Sequence, residues 1–428
     1  MTIGGAQHRF IAVYGMAHFG KSLFWACSEL LFAYFLTEAC GLAPRLMAAA
    51  LGGSLALSAA ADFGVGRVMA ARVQTPAAAG RAQFFGAAIS ACAFSLFGLS
   101  GLLPQASRFA YALGAILLFR LSYSVFDVPQ NALLALTTED DAGRARLSSW
   151  RYVFGGAASI AVAGLFAPLF KGRLASVQAQ NFALLAVALS LVALASAAGL
   201  LVLLRAGAAP VVRAAPGPRP APQTVLGRGW RLALIFLMLA LVGAAGSAFS
   251  KLEPYLAAYG LTARAGASAV LTSIALGNLV SQPVWAWFAR RWSLLGSLRA
   301  AAVLLVFAAA LIWLMVDRGT VAGVAAGAFY GFGMGGVTMS LWALAAAASG
   351  KTRWLGGATS TFGLVTALSK LGSACAILSV GEVLAGSAYR DVASWGASLL
   401  LIMTLAPMAV GGACVVASFH LSARREAQ

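Results

Sequence analysis

Arg120, Ser124, Asp127 and Asn131 follow one another at intervals of four, three and four residues, a spacing that stacks them on one helical face. The run that carries them, Phe119 to Leu136, is otherwise apolar and long enough with its flanks to sit in a bilayer. An ionisable group at that depth costs several kcal/mol unless it is paired or faces water, so the helix is expected to line a polar pathway. The same charges would alternatively serve as a structural Arg–Asp pair joining two helices. Pro129 has no N–H to offer the Val125 carbonyl, so a bend is expected just below Asp127, with a backbone acceptor left for an ion, a water or a solute hydroxyl.

Other polar residues interrupt apolar stretches in the same way. His18, Ser22 and Glu29 fall near one face of the first stretch. His18 reads either as a packed histidine bonded to a neighbouring helix or as a proton relay or solute ligand. Lys21 is expected to reach a cytoplasmic or interfacial carbonyl along its flexible stem. Asp62 stands beside Ala61, Gly64 and Gly66, small residues that let another helix approach; it is a cation or proton site, or else a salt-bridged packing contact. Lys251 and Glu253 are expected to close the seventh stretch near the outer face. Lys370 has ten or more apolar residues on each side, which makes snorkelling hard. It is expected to meet Asp62, Asp127 or a bound solute.

Enzyme chemistry finds little to work with. Cys27, Cys40, Cys92, Cys375 and Cys414 are isolated, with neither a C-x-x-C nor a metal-ligand spacing, so no metal or other cofactor is expected. No nucleophile–base pair appears in the apolar stretches. The run Tyr330-Gly331-Phe332-Gly333-Met334-Gly335-Gly336 lies inside an apolar stretch with no strand before it, which favours close helix packing over a phosphate loop. Gly350-Lys351-Thr352 lacks the earlier glycine that such a loop needs. ATP is therefore not expected to drive the protein.

The chain of 428 residues is 61% hydrophobic and only 10% charged, against about 25% charged in soluble domains. Twelve apolar runs of roughly 20 residues recur along it, as expected of a polytopic all-α membrane protein. The net charge of +18 is scattered over the connections and not gathered on a solvated domain, which argues against nucleic acid. Residues 205–230 hold five of the 13 prolines and no acid, and read as an extended linker between two groups of six helices, 1–204 and 231–428. Placing both termini in the cytoplasm puts 19 Lys and Arg residues inside and 7 outside, which sets the expected orientation. The first apolar run is too long for a signal-peptide core and is expected to stay as the first span.

Four local patterns carry a resemblance. They are Tyr14-Gly15 with Phe19-Gly20-Lys21; Asp127-Val128-Pro129 with Ala132-Leu133, Thr137 and Arg151; Pro283-Val284-Trp285 with Arg290-Arg291; and Lys370 with Gly372-Ser373-Ala374. In this order the chain resembles the major facilitator superfamily and, within it, the glycoside-pentoside-hexuronide:cation symporters, the family that includes melibiose permease. The resemblance implies twelve transmembrane helices in two six-helix bundles. It makes Asp127 and Arg151 ligands of sugar hydroxyls, Asp62 with Ser124 part of a cation site, and Lys370 a charge-balancing lysine. Ser22 stands where the family has a sugar-binding acid and Asn131 where it has a tryptophan that stacks on the sugar. Ser58 replaces the first of two carboxylates, and Ala61 an asparagine beside the second.

Losing an acid and an amide leaves a poor sodium site, whereas a lone buried aspartate can carry a proton, so proton coupling or weak coupling is expected over sodium. The expected activity is symport of a sugar, glycoside or related small polar solute by alternating access, with Asp127, Arg151, Asn131, Ser22, His18 and Arg120 facing the solute. Asp62, Ser124, Ser58 and Lys370 would handle the cation. Two alternatives are an exporter or carrier of an amphipathic, lipid-like metabolite and a transport-inactive membrane sensor or assembly protein. The partners implied are the solute and the bilayer, without nucleic acid, around a monomer in a bacterial inner membrane.

Overall fold

The computed structural model describes residues 3–70, 72–138, 141–207, 229–261, 264–315, 318–349, 358–395 and 399–422. Twelve long helices run through them: α1 (Ile3–Leu30), α2 (Pro44–Ala70), α3 (Pro76–Gly98), α4 (Gln105–Leu136), α5 (Asp141–Leu169), α6 (Ala175–Arg205), α7 (Gly229–Tyr255), α8 (Arg264–Arg291), α9 (Leu294–Met315), α10 (Thr320–Ser349), α11 (Ala358–Ala385) and α12 (Leu400–Ser422). Among the described residues, ten of these are long and apolar enough to cross a membrane, α1 and α2 being the two that are not counted with them. The fold is all-α and the protein is an integral, multi-pass membrane protein. Most of the proline-rich stretch 205–230, the acidic side of the connection after α4, and Gly350-Lys351-Thr352 lie outside the described residues.

Two compact units are present. The first comprises Met1–Leu46, Ala56–Val162 and Arg173–Arg219; the second comprises Met47–Leu55, Ala163–Gly172 and Pro220–Gln428.

In the first unit an aromatic core fixes how α4 is turned. Phe119, Tyr123 and Phe126 recur at helical spacing. Phe119 packs on Phe24, Phe32 and Phe94, and Phe126 packs edge-on to Phe24. Phe32 and Phe35, just beyond α1, extend the cluster onto Phe97 and Phe182, with ring centroids 4.4 and 3.8 Å apart. Such ring pairs add about 0.5–1.5 kcal/mol each beyond area burial. Gly86 on α3 lets the α4 backbone come close, because a Cβ there would fall 2.3 Å from the Phe126 nitrogen. With one face of α4 clamped this way, the adjacent stripe of Arg120, Ser124, Asp127 and Asn131 is presented elsewhere.

In the second unit the glycine run of α10 is a packing face, as its setting implied. A Cβ at Gly331 would sit 1.9 Å from the Ile274 carbonyl of α8, and one at Gly333 2.8 Å from the Leu305 nitrogen of α9. Between lipid-immersed helices, where apolar transfer gives no drive, this backbone proximity supplies the packing energy. Trp285, from the Pro283-Val284-Trp285 pattern, donates its indole N–H to the Phe332 carbonyl at 2.8 Å. Lys251 and Glu253 are both buried at the end of α7, which runs into a π-helical turn at Leu256–Gly260. Lys171 donates to the carbonyls of Ala257 and Leu261 there, where the last carbonyls of the turn lack helical partners.

Candidate functional site

The polar stripe of α4 meets α1 and α5 in one hydrogen-bonded network. Lys21 Nζ lies 2.6 Å from Asp127 Oδ1 and donates to Asn131 Oδ1 at 2.9 Å. Asn131 Nδ2 donates to Asp127 Oδ2 at 2.9 Å, and Arg151 Nη2 donates to Asn131 Oδ1 at 2.7 Å. Asn131 is thus the hub. Its amide oxygen accepts from both cations while its amide nitrogen holds the carboxylate, a division of labour that only a side chain with both donor and acceptor can perform.

Lys21 is the correction to the sequence reading. It does not reach for a carbonyl at the membrane interface; its side chain is only 3% exposed and it pairs with Asp127, whose side chain is 25% exposed. A buried ammonium gains far more from a carboxylate than from a backbone acceptor. Lys21, like Lys370, is a cation deep in a span and needs a counter-charge.

Tyr14, one turn before His18, donates its hydroxyl to the Gln130 carbonyl at 3.3 Å and so ties α1 to α4 below the proline. α4 stays helical through Pro129. His18 and Ser22 both face Gly155 of α5, four residues after Arg151: a Cβ at that glycine would lie 3.6 Å from His18 Nε2 and 3.5 Å from Ser22 Oγ. Gly15 admits the Phe154 ring in the same way. Among the described residues, two buried polar atoms beside the network, Arg151 Nε and His18 Nδ1, have no hydrogen-bond partner.

Arg120 and Asp62 belong to a neighbouring cluster in the same unit. Ser124 Oγ donates to Asp62 Oδ1 at 2.5 Å. Ser58, one turn before Asp62 on α2, is buried. Arg120 is 1% exposed and stands 4.0 Å from Glu29. Nine of the ten residues expected to meet the solute or the cation therefore lie in the first unit, on α1, α2, α4 and α5. Lys370 lies in the second unit, buried on α11 next to Ser369, whose backbone packs on Gly243 of α7.

The sequence pattern of the MFS/sugar transport protein family matches residues 13–424. No curated protein matches the sequence. Several solved structures share the fold at low identity. A POT family transporter in complex with 5-aminolevulinic acid is 11% identical, with a TM-score of 0.67 over 97% of this chain and 96% of that one. The nucleoside transporter NupG is 14% identical, with a TM-score of 0.64 over 97% and 98%. A bacterial homologue of the iron transporter ferroportin in its inward-facing state is 13% identical, with a TM-score of 0.63 over 99% and 100%.

Proposed function

The chain belongs to the MFS/sugar transport protein family, a family of membrane transporters, and from that premise we propose that it is a proton-coupled symporter of a glycoside or related hydroxylated solute, working by alternating access. The observation that carries this reading is the unspent bonding capacity around Asp127. Among the described residues Arg151 Nε and His18 Nδ1 are buried with no hydrogen-bond partner, and buried polar atoms of this kind are met by water or by a polar solute. A solute rich in hydroxyls supplies it, since each hydroxyl both donates and accepts. Asp127 then accepts from the solute, Arg151 donates to it, and Asn131 and Lys21 hold both in place, with His18 and Ser22 completing the ring of ligands. The family's stacking tryptophan is replaced by Asn131, so this solute is held by polar contacts more than by an aromatic face.

Asp62, held by Ser124 and flanked by Ser58, is the cation site in this reading. A proton suits it better than sodium, because a single carboxylate with hydroxyl neighbours offers few of the hard oxygens that a metal cation needs. Loading it removes a negative charge from the first unit and so lowers the cost of enclosing the solute in a dry site. Lys370 balances charge in the second unit. The positive-inside distribution supports cytoplasmic termini, and the family supports a monomer in a bacterial inner membrane.

Uptake assays in proteoliposomes test this. Asp127→Asn is expected to abolish coupled uptake while the protein remains inserted and monodisperse. Unchanged uptake by that variant would remove Asp127, and with it the solute site, from the account.

A further inference from the structure

The network around Asp127 holds more positive charge than negative. Lys21 and Arg151 both donate to Asn131, and of the two it is Lys21 that closes on a carboxylate, Asp127 Oδ1 at 2.6 Å. Among the described residues Arg151 makes no ion pair. Its Nη2 rests on the neutral Asn131 amide at 2.7 Å, and its buried Nε has no hydrogen-bond partner there. Lys21 interacts electrostatically with Asp127 and with Arg151, so the second cation adds to the first without a second acid beside it.

The neighbouring groups do not make up the difference. Ser22 and His18, which face Gly155 one turn after Arg151, bring no negative charge. His18 lies within electrostatic reach of both Lys21 and Arg151. Glu29 stands 4.0 Å from a different cation, Arg120, and Asp62 accepts from Ser124 at 2.5 Å. Any further bond that Asp127 makes divides the same single negative charge more thinly. Two cations therefore share one carboxylate at bilayer depth, where a charge without a counter-charge is costly. The side chain of Asp127 is 25% exposed, so the surplus sits beside an accessible surface.

We propose that the solute supplies the missing charge: it is a hydroxylated monocarboxylate, a sugar acid, whose carboxylate seats on Arg151 while its hydroxyls reach Asp127, His18 and Ser22. The proposal rests on the reading of this network as the solute site and narrows the class of solute. A guanidinium presents its N–H groups as a planar fork that matches the two oxygens of a carboxylate. Arg151 has that fork in part unused, since Nε is without a partner among the described residues and Nη2 keeps a second N–H after serving Asn131. A neutral sugar satisfies these donors but leaves the surplus charge in place. A phosphate monoester, carrying about 1.5 to 2 negative charges, overshoots it.

Saturable thermal protection of the purified full-length protein in detergent at neutral pH reads this with matched probes. The methyl glycosides of glucuronic and galacturonic acid are compared with their amides, which remove the charge and little else, and with methyl glucoside and methyl galactoside. Gluconate and gluconamide form an open-chain pair. At least one acid is expected to bind about ten- to a hundredfold more tightly than its amide, the worth of one charge-assisted hydrogen bond. Arg151→Gln should make acid and amide bind alike, whereas Arg151→Lys, which keeps the charge without the fork, should retain part of the preference. The acid–amide comparison on the wild type stands on its own if Arg151→Gln does not fold. Acid and amide bound alike by the wild type, or a preference undiminished in Arg151→Gln, would overturn the proposal and leave transport of a neutral glycoside standing. Tighter binding of glucose 6-phosphate than of every acid would overturn it too. A preference for gluconate with no glycoside bound would sustain the charge assignment and refute the glycoside, while protection by none of the acids would overturn the proposal.

Discussion

Removing the charges at Lys21 and Asp127 separately and together distinguishes a site that serves solute binding from one that merely holds helices. Lys21 is 2% exposed with two oxygen acceptors, Asp127 Oδ1 at 2.6 Å and Asn131 Oδ1 at 2.9 Å. Asp127→Leu leaves the ammonium buried with only an amide to hold it. Breaking a buried pair from one side costs about 3–5 kcal/mol; the remaining Asn131 contact and the partial exposure of Asp127 place this case near the lower end, at about 3 kcal/mol. Lys21→Met is milder, about 1–2 kcal/mol, because Asp127 keeps its bond from Asn131 and some access to solvent. Replacing both charges by apolar groups is often close to neutral, so the double variant should recover to within about 1 kcal/mol of the wild type. Unfolding by SDS titration in mixed micelles measures all four proteins. Uptake in proteoliposomes should vanish in the double variant despite its recovered stability. Additive losses in the double variant, or an Asp127→Leu protein as stable as the wild type, would refute the pairing; preserved uptake would refute its role in transport.

Three further outcomes follow from particular contacts. Asn131→Leu deprives Lys21 and Arg151 of a shared acceptor and is expected to cost about 1.5–3 kcal/mol in the same SDS titration, with loss of uptake. Gly86→Ala drives a Cβ into the backbone of Phe126 and should cost about 1–3 kcal/mol, whereas Gly53→Ala, where a Cβ meets nothing within 4 Å, should match or exceed the wild type in thermal stability in detergent. Cys40, in the connection between α1 and α2, has its thiol pushed up to about 12 by burial, which outweighs the opposing effect of Arg108. The thiolate is therefore scarce at neutral pH and becomes abundant only as the pH rises toward that value, so mass spectrometry should find Cys40 unmodified by maleimide at pH 8 until SDS unfolds the chain.

Much of the fold was legible because a bilayer leaves few choices. Apolar runs of the right length must be helices, and the glycines of α10 had no strand to make them a phosphate loop, so packing against α8 and α9 was the reading left to them. The stripe of α4 was legible too, since periodicity alone put Asn131 one turn from Asp127. Lys21 was misread because the flexibility of its side chain was weighed above the cost of burying its charge. The separation of Arg120 and Glu29 could not be read at all: helix spacing says which residues share a face, not how closely two helices approach.

The central claim, that the charges of the first unit couple a solute to a proton, is tested most directly in proteoliposomes loaded with a pH-sensitive dye and given an inward gradient of each of a panel of glycosides. The account predicts that at least one glycoside acidifies the lumen as it enters, and that Asp62→Asn and Asp127→Asn abolish the signal. Glycoside entry that requires sodium and leaves the luminal pH unchanged would contradict it.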